Sequence, residues 1–269
     1  MPTAGRKDGM ANPPDWKTLE ELAYGIDTNR LPLTQDLVGR ELSVTLTDGT
    51  GLTLNFTGGD TVSWSDGELA DADRYEAVRV DTHTYFVEVW FHARERVSLT
   101  LIANMGSRRA LAVFSTVAEV PTEGEPQVGQ RFVPGVIEDP SAPPTGPEPA
   151  PTRDLLGKRI LNDYSPNHLY EHIYVNSNRY CWQCLKGVQQ GHGDCDLASY
   201  YKFDENRYVF AFREFRIPVA TVFFFNMDDM RSTGKFFGIA SSGRIENNWG
   251  GAFISVLSET RYPDGVRPV

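Results

Sequence analysis

The stretch ELSVTLTDGTGLTLNF, residues 41–56, alternates apolar and polar side chains with a period of two on both sides of Asp48-Gly49. The apolar positions are Leu42, Val44, Leu46, Leu52, Leu54 and Phe56. In an extended strand this period places them all on one face, and Asp-Gly is typical of the two-residue turn that joins antiparallel strands. The stretch therefore predicts a β-hairpin with one buried face.

Strand-like runs continue from this hairpin to residue 117. They are rich in β-branched and aromatic residues, they are separated by turn residues, and they cover residues 61–65, 75–80, 85–92, 97–104 and 110–117. Short strands at such regular spacing are typical of an antiparallel meander that closes into a barrel. We predict one barrel of this kind over residues 15–119.

The residues before the hairpin follow a different period. Trp16, Leu19 and Leu22 recur at helical spacing shortly after Pro14, a residue that suits a first helical turn. This spacing predicts one short N-terminal helix, placed to plug the mouth of a barrel. Residues 1–14, which are rich in Gly and Pro, are expected to be disordered.

The second half of the chain repeats the first after a proline-rich segment. Residues 120–153 contain nine of the 17 prolines and few large apolar side chains, so they predict a linker that is partly polyproline II. Beyond it, DLLGK at residues 154–158 repeats DLVGR at residues 36–40, and the strand rhythm resumes. We therefore expect an all-β chain with a second barrel over residues 154–265, each barrel having about eight strands.

The composition limits the classes of partner. A formal net charge of −10 makes nucleic acid and anionic membrane surfaces unfavourable partners. No apolar run is long enough to span a bilayer, and the first residues lack the apolar core of a signal peptide, so we expect a cytoplasmic protein. Aromatic residues, at 12%, suit pockets for flat ligands. A small aromatic ligand or substrate is the expected partner, and a homodimer is left open.

Cysteine and histidine spacing does not favour a metal site. Cys181 and Cys184 have CxxC spacing but point to opposite faces of a strand, and the third cysteine is Cys195. An odd count without a signal peptide argues against a disulfide framework, so buried thiols are expected, with a redox pair as the alternative. His168 and His172 would lie about 13 Å apart on one strand face, which is too far for one metal ion. That face is expected to meet solvent, with a polar or aromatic pocket wall as the alternative.

The motif YCWQCLKG at residues 180–187, followed by GHGD at residues 191–194, resembles the family named molybdenum cofactor biosynthesis protein F. The resemblance spans about residues 19–263 and is densest after Leu155. It implies paired N- and C-terminal domains of the calycin, or lipocalin-like, type. The family's name does not by itself assign a reaction.

The opening of the second half also resembles bacterial phenolic acid decarboxylases. The residues that carry this resemblance are Leu156-Gly157-Lys158, Tyr164, Tyr170-Glu171 and Asn176. Those enzymes are single lipocalin-like barrels without a cofactor. They remove the carboxylate of hydroxycinnamic acids through a quinone-methide intermediate, with two tyrosines, an arginine and a glutamate. The resemblance implies a cofactor-free pocket in the second barrel.

The resemblance transfers to this chain only in part. One tyrosine of the set falls on Tyr164 and the glutamate on Glu214, whereas the other tyrosine falls on Asn162 and the arginine near His192. Glu214 shares a strand face with two phenylalanines, and burial there would raise its pKa and suit it to proton transfer. We predict Glu214, Tyr164 and His192 as catalytic residues. The predicted substrate-binding residues are Asn162, Tyr170, Trp182, Phe212 and Arg213.

These residues predict a cofactor-free lyase or isomerase with decarboxylase-like acid/base chemistry on a small aromatic or conjugated acid or carbonyl compound. A non-catalytic carrier or sensor is the alternative, because a calycin pocket binds ligands without pKa tuning. A structural role in partner binding is ranked last, since no charged tail supports it. In the first half, Phe91 or His92 falls where Glu214 would be. That barrel is therefore expected to support the other rather than repeat its chemistry.

Overall fold

The structure, a computed structural model, describes residues 16–268. The head predicted over residues 1–14 lies outside these described residues. Within them the chain forms one α-helix and 17 strands. None of the described residues belongs to a helix that is long and apolar enough to cross a membrane.

The first barrel is a closed antiparallel sheet of eight strands in sequential order. Its strands are β1 (Glu41–Leu46), β2 (Gly51–Phe56), β3 (Thr61–Ser65), β4 (Ala70–Arg79), β5 (Thr84–Trp90), β6 (Val97–Asn104), β7 (Arg109–Val117) and β8 (Val128–Ile137). Alternate residues of β1 and β2 are buried, and Val44 pairs with Leu52 across the hairpin. The prediction made from residues 41–56 is confirmed.

Strand β8 corrects the linker predicted over residues 120–153. Val133 and Ile137 are buried in the interior of the first barrel, and Val128 is buried on the other face against the second barrel. The strand pairs with both β7 and β1 and so closes the barrel. The prolines of this segment hid the alternation, yet Pro134 lies within the strand and its carbonyl oxygen accepts the N–H of Thr47 at 2.9 Å. The irregular segment between the barrels covers residues 138–149.

The second barrel repeats this architecture. Its strands are β10 (Lys158–Ser165), β11 (His168–Asn176), β12 (Arg179–Lys186), β13 (Gly193–Asp204), β14 (Arg207–Arg213), β15 (Val219–Asn226), β16 (Arg231–Ile239) and β17 (Ile245–Glu259). Pairing of β12 with β13 closes the sheet, and the short β9 (Ala150–Pro151) adds to the edge of β13. Two closed antiparallel barrels confirm the predicted all-β class.

The two barrels share a buried interface. Its apolar part joins Val78, Phe86, Ile102, Leu111 and Val113 of the first barrel to Phe203, Val209, Val222, Phe224 and Trp249 of the second. Beside it, Asn247 Nδ2 donates to Glu88 at 2.6 Å, and Lys235 forms an ion pair with Glu76 at 3.2 Å. Outer strand faces that would otherwise meet solvent are covered in this way.

The predicted N-terminal helix is confirmed as α1 (Leu19–Ala23). Thr18 is its N-cap: the Thr18 hydroxyl accepts the N–H of Glu21, and the Glu21 carboxylate accepts the N–H of Thr18, which is a capping box. Leu19 and Leu22 are buried in the core of the second barrel. The helix therefore plugs the second barrel, not the one that follows it in sequence.

The cysteines correct one expectation. Cys181 and Cys195 are joined by a disulfide bond, whereas Cys184 is a free, buried thiol. A count of cysteines carries no information about strand register, and register is what places Cys181 opposite Cys195 in the β12–β13 ladder. The disulfide thus ties together the two strands that close the second barrel.

Candidate functional site

A small cavity lies inside the second barrel, beneath α1 and the residues that follow it. Its volume is about 30 Å³, which gives room for one water molecule. It is lined by Leu22, Ile26, Tyr164, Tyr170, His172, Tyr180, Trp182, Gln189, Phe212, Glu214 and Phe236. The wall is mainly aromatic, with one carboxyl, one imidazole and one carboxamide among the rings.

Glu214 supplies the carboxyl of this cavity. It follows β14, and its backbone N–H donates to the carbonyl of Val219 at 3.0 Å. The residue is 5% exposed. Burial raises its pKa well above the ordinary value, and the neighbouring carboxylates of Asp196 and Asp194 raise it further. Both causes favour the protonated form of the Glu214 carboxyl.

Asp196 lies close to Glu214 in a different environment. Burial raises the pKa of Asp196 as well. However, the indole N–H of Trp182 donates to its carboxylate at 3.1 Å, and the backbone N–H of Phe215 donates at 3.2 Å. Such bonds favour the ionised form, so Asp196 ionises while Glu214 keeps its proton. Two neighbouring carboxyls in different protonation states are typical of acid/base sites.

The other polar groups of the wall are uncharged. Burial raises the pKa of Tyr164, Tyr170 and Tyr180, so all three are neutral hydroxyls. Burial lowers the pKa of His172 to about 3. Its ring packs edge-on against Tyr180, with the centroids 5.3 Å apart. The cavity therefore offers neutral hydrogen-bonding groups within aromatic walls.

Two polar atoms of the wall have no hydrogen-bond partner among the described residues. They are Nδ1 of His172 and Nε2 of Gln189. On the other side of the Gln189 amide, Oε1 accepts the hydroxyl of Tyr170 at 3.1 Å. An unpaired buried polar group costs about 1–3 kcal/mol. Two such atoms on one small cavity mark a place that a polar ligand group would satisfy.

The structure brings several of the predicted site residues together. Those that line the cavity are Glu214, Tyr164, Tyr170, Trp182 and Phe212. Asn162 is buried in the same barrel, where its Nδ2 donates to the carbonyl of Ile160 at 3.2 Å. It packs outside the set of residues that line the cavity.

The predicted roles of His192 and Arg213 are not supported by their positions. His192 lies at the mouth of the barrel, with its ring stacked on Trp16 at a centroid distance of 5.2 Å. Arg213 points towards the first barrel and donates to Gln130 at 3.1 Å. The alternation along β14 explains this, since the strand neighbour of Glu214 faces the opposite way. His192 lies in a turn, whose direction the sequence pattern does not fix.

The imidazole that the cavity does contain belongs to His172. The expectation that its strand face meets solvent is wrong, because β11 turns His168 and His172 into the barrel interior, where both are buried. The internal repeat carried the signal that could have found this. Leu52 and Leu54 of β2 hold the register positions of Tyr170 and His172, and both leucines belong to the buried face of the hairpin.

Residues 16–28, here called the N-terminal plug, close the mouth of the cavity. Leu22 and Ile26 form part of the cavity wall. The guanidinium of Arg216 lies 4.8 Å from the ring of Trp16. The carboxylate of Glu20 accepts the hydroxyl and the backbone N–H of Ser241, at 2.7 and 2.8 Å. These bonds lower the pKa of Glu20 to about 2.

The far end of the plug is anchored at Asn29. Its N–H donates to the carbonyl of Tyr164 at 3.0 Å, and its own carbonyl accepts from Arg231 at 2.6 Å. Before this anchor, Gly25 has a φ of 80°, a left-handed conformation that glycine adopts without strain. Tyr24 and Gly25 also line an open cleft of about 1250 Å³ between the barrels. The plug therefore separates the cavity from this cleft.

The first barrel contains a matched version of the site without its carboxyl. Trp64 donates to Asp73 at 2.7 Å, and the backbone N–H of His92 donates to the same carboxylate at 2.8 Å. The second barrel has the same arrangement of Trp182, Asp196 and Phe215. Phe91, which precedes His92, therefore occupies the place of Glu214, and its ring packs against Trp64.

The remaining polar positions of the cavity are also apolar in the first barrel. The strand registers place Leu52 and Leu54 at the positions of Tyr170 and His172, and Val62 at that of Tyr180. All three apolar residues are buried in the core of the first barrel. The architecture therefore forms with apolar side chains at these three positions, and the hydroxyls and the imidazole found there belong to the second barrel.

The site has no arrangement typical of a metal centre. Across residues 16–268, no group of three or more His, Cys, Asp or Glu side chains is placed to hold a metal ion. The chemistry open to the described residues is proton transfer and hydrogen bonding by carboxyl, phenol, imidazole and amide groups.

The fold and the site define a tandem pair of calycin-like barrels, the second of which holds a small cavity lined by Glu214, His172 and Gln189 among aromatic rings. The family models for the MoaF N-terminal domain and the MoaF C-terminal domain match residues 14–119 and 149–260. The chain belongs to the MoaF family. A curated relative, Protein MoaF from Klebsiella aerogenes, is 35% identical over 217 residues, which cover 76% of this chain and 80% of that protein.

One solved structure shows a weak overall similarity. It is a crystal structure from Burkholderia vietnamiensis that is provisionally described as a beta-lactamase. It covers 40% of this chain and 100% of its own, with 12% identity and a TM-score of 0.34. A score this low carries no argument about the fold or the activity of this chain.

Proposed function

We propose that the chain is a cofactor-free lyase or isomerase, in which Glu214 transfers a proton to a small aromatic or conjugated acid or carbonyl compound. The observation that carries this proposal is a buried carboxyl in an aromatic cavity, with its pKa raised by burial, at a position where the first barrel has Phe91. Because the same architecture forms with phenylalanine there, folding does not require the carboxyl. A buried, perturbed carboxyl without a structural need supports a chemical role.

Glu214 is the proton donor in either reaction. In an isomerase, Glu214 protonates one carbon of the conjugated substrate and, as the carboxylate, removes a proton from another atom, so the enzyme returns to its starting state. In a lyase that acts on an acid, the electron pair of the bond to the carboxylate takes the proton of Glu214, carbon dioxide leaves, and a proton from solvent restores Glu214. The neutral hydroxyls of Tyr164 and Tyr170 would orient the substrate. The negative charge of Asp196 raises the pKa of Glu214 and so favours its return to the protonated form after each turnover.

Access to this site requires movement of the N-terminal plug. A cavity of about 30 Å³ is far smaller than an aromatic molecule. Leu22 and Ile26 are the wall residues that do not belong to the barrel itself. With Asn29 held by the barrel, the preceding turn at Gly25 is the place where the plug would hinge away to admit a ligand.

The test is proton exchange in deuterated water. A panel of conjugated acids and carbonyl compounds is incubated with the protein, and NMR follows deuterium incorporation, double-bond migration and loss of a group. Glu214→Gln should lower the rate of any conversion about 100-fold or more, since it removes the proton donor. Glu171→Gln is the matched control, because Glu171 is a buried carboxyl that pairs with Arg159 outside the cavity. Full turnover by Glu214→Gln would overturn the proposal.

A non-catalytic carrier or sensor is the second candidate, and the plug is the observation that favours it. A segment that covers a hydrogen-bonding cavity would retain and shield a ligand without any chemistry. In that case a bound compound is recovered unchanged, and Glu214→Gln alters its affinity only. The same incubation therefore separates the two functions.

The cytoplasm is the location that we propose for this activity. Stable disulfide bonds are rare in cytosolic proteins, so the Cys181–Cys195 bond provides a check. Cells are lysed in an alkylating reagent, and the protein is then weighed by mass spectrometry. Three alkylated cysteines fit a reducing compartment. One alkylated cysteine, at Cys184, would contradict the cytoplasmic assignment.

A further inference from the structure

The cavity wall contains no positive charge. Among the described residues, its lining includes one carboxyl and one imidazole but neither lysine nor arginine. The carboxyl of Glu214 is protonated, and His172, with a pKa of about 3, is neutral. Asp196, whose carboxylate accepts the indole N–H of Trp182, adds a negative charge next to this wall. A ligand in this cavity therefore meets neutral dipoles and a negative field.

The arginines close to the cavity are committed elsewhere. Arg213 points to the first barrel, where it bonds to Gln130. Arg216 lies at the mouth, where its Nε is 2.6 Å from a carboxylate oxygen of Asp194 and its guanidinium covers Trp16. A ligand carboxylate would have to displace Asp194 to gain that cation. Transfer of an ionised carboxylate into a buried site without a cation is strongly unfavourable.

The geometry points to an uncharged substrate: a small aromatic or conjugated carbonyl compound, and not an ionised acid. This inference rests on the proposed function and narrows its substrate class. The Gln189 Nε2 would donate to the carbonyl oxygen, because Gln189 lines the cavity, its Oε1 bonds to Tyr170, and its Nε2 has no partner among the described residues. The unpartnered Nδ1 of His172 provides a second polar contact. Gln189 and His172 are thus the residues that set specificity.

The test compares three probes of nearly equal shape. Benzylideneacetone and cinnamamide are neutral, whereas cinnamate is ionised at neutral pH, and all three carry the same phenyl ring and double bond. Their dissociation constants are measured by calorimetric titration with the full chain and with Leu22→Ala, which removes bulk from the plug and enlarges the cavity. We expect the dissociation constants of the neutral probes to be lower than that of cinnamate by about tenfold or more in both proteins, because cinnamate would bury an unpaired charge.

Two glutamine variants test the residue assignment. Gln189→Leu should weaken the binding of cinnamamide and benzylideneacetone and leave the binding of cinnamate unaffected. The difference in affinity between the neutral probes and cinnamate should therefore fall. Gln183→Leu is the control, because Gln183 bonds to Glu171 outside the cavity. Near-equal melting temperatures of the two variants would confirm that a loss of affinity reflects the lost contact.

Each outcome bears on the inference. Binding of cinnamate as tightly as the neutral probes overturns it, and so does failure of all three probes to bind both proteins. Turnover of an acid that Glu214→Gln abolishes would overturn the neutral-substrate inference and leave the proposed function standing. Selective binding of neutral probes by a protein that converts none of the panel would support this inference and contradict the catalytic proposal.

Discussion

Replacing Glu214 with glutamine removes a carboxyl that the folded protein keeps protonated and preserves its shape. In the unfolded chain this carboxyl ionises near its ordinary pKa of 4.5, so above that pH folding requires uptake of a proton. The folded state then binds more protons than the unfolded state. The free energy of unfolding therefore falls as pH rises, by about 1.4 kcal/mol per pH unit for this one group, until Glu214 ionises in the folded protein.

Glutamine does not titrate, so the stability of Glu214→Gln lacks this dependence on pH. The difference in unfolding free energy between variant and wild type therefore isolates the contribution of Glu214. Over the pH range in which folded Glu214 stays protonated, the stability of Glu214→Gln relative to wild type should rise with pH by about 1.4 kcal/mol per pH unit. For a chain of this size the change corresponds to a shift of roughly 2–4 °C in melting temperature per kcal/mol. Urea titrations followed by tryptophan fluorescence at several pH values measure it.

Glu171→Gln provides a control of opposite sign. The hydrogen bond from Arg159 is the main cause that lowers the pKa of Glu171. Its contribution to stability is present above the unfolded pKa and is lost as pH falls, so Glu171→Gln should destabilise most at neutral pH. A stability difference for Glu214→Gln that stays flat between about pH 5 and 7, or that becomes less favourable, would refute the argument that Glu214 carries a proton.

Two further predictions concern the mouth and the seam of the second barrel. Glu20→Ala removes both hydrogen bonds to Ser241 and should make the buried Cys184 thiol react about tenfold faster with a thiol reagent. The reason is that two bonds worth roughly 0.7 kcal/mol each hold the plug closed. A rate equal to wild type would show that the plug does not govern access. Cys181→Ser should lower the free energy of unfolding, measured by urea titration, by about 3 kcal/mol, because the disulfide that it removes joins β12 to β13 across a sequence separation of 14 residues. An unchanged urea midpoint of unfolding would contradict this prediction.

The sequence was informative wherever one pattern decided the structure. The period of two at residues 41–56, and the repeat of DLVGR as DLLGK, predicted two barrels of the same kind, and both formed. Patterning failed where two signals competed. Prolines outweighed the alternation at β8, and a run of histidine and tyrosine on β11 suggested a solvent face although it lines the interior.

Glu214 could be predicted because its position depends on strand alternation, but the rest of the site depends on register and on loops. His172 becomes a cavity residue only because β11 pairs with β10 in the register that β2 and β1 share. Gln189 lies in the loop after β12, where no period places a side chain. His192 was predicted as a cavity residue, but the turn that contains it places its ring on Trp16.

The first barrel offers an internal control that few sites have. Both barrels hold a tryptophan–aspartate hydrogen bond at the same register position, so the environments match closely around Phe91 and Glu214. Burial of a carboxyl or an imidazole destabilises a core that Phe91 and Leu54 fill without cost. Glu214 and His172 occupy positions that are apolar in the first barrel, so the barrel architecture does not require them. Ligand chemistry at the second cavity is the role that we propose for this asymmetry, with the first barrel as its support.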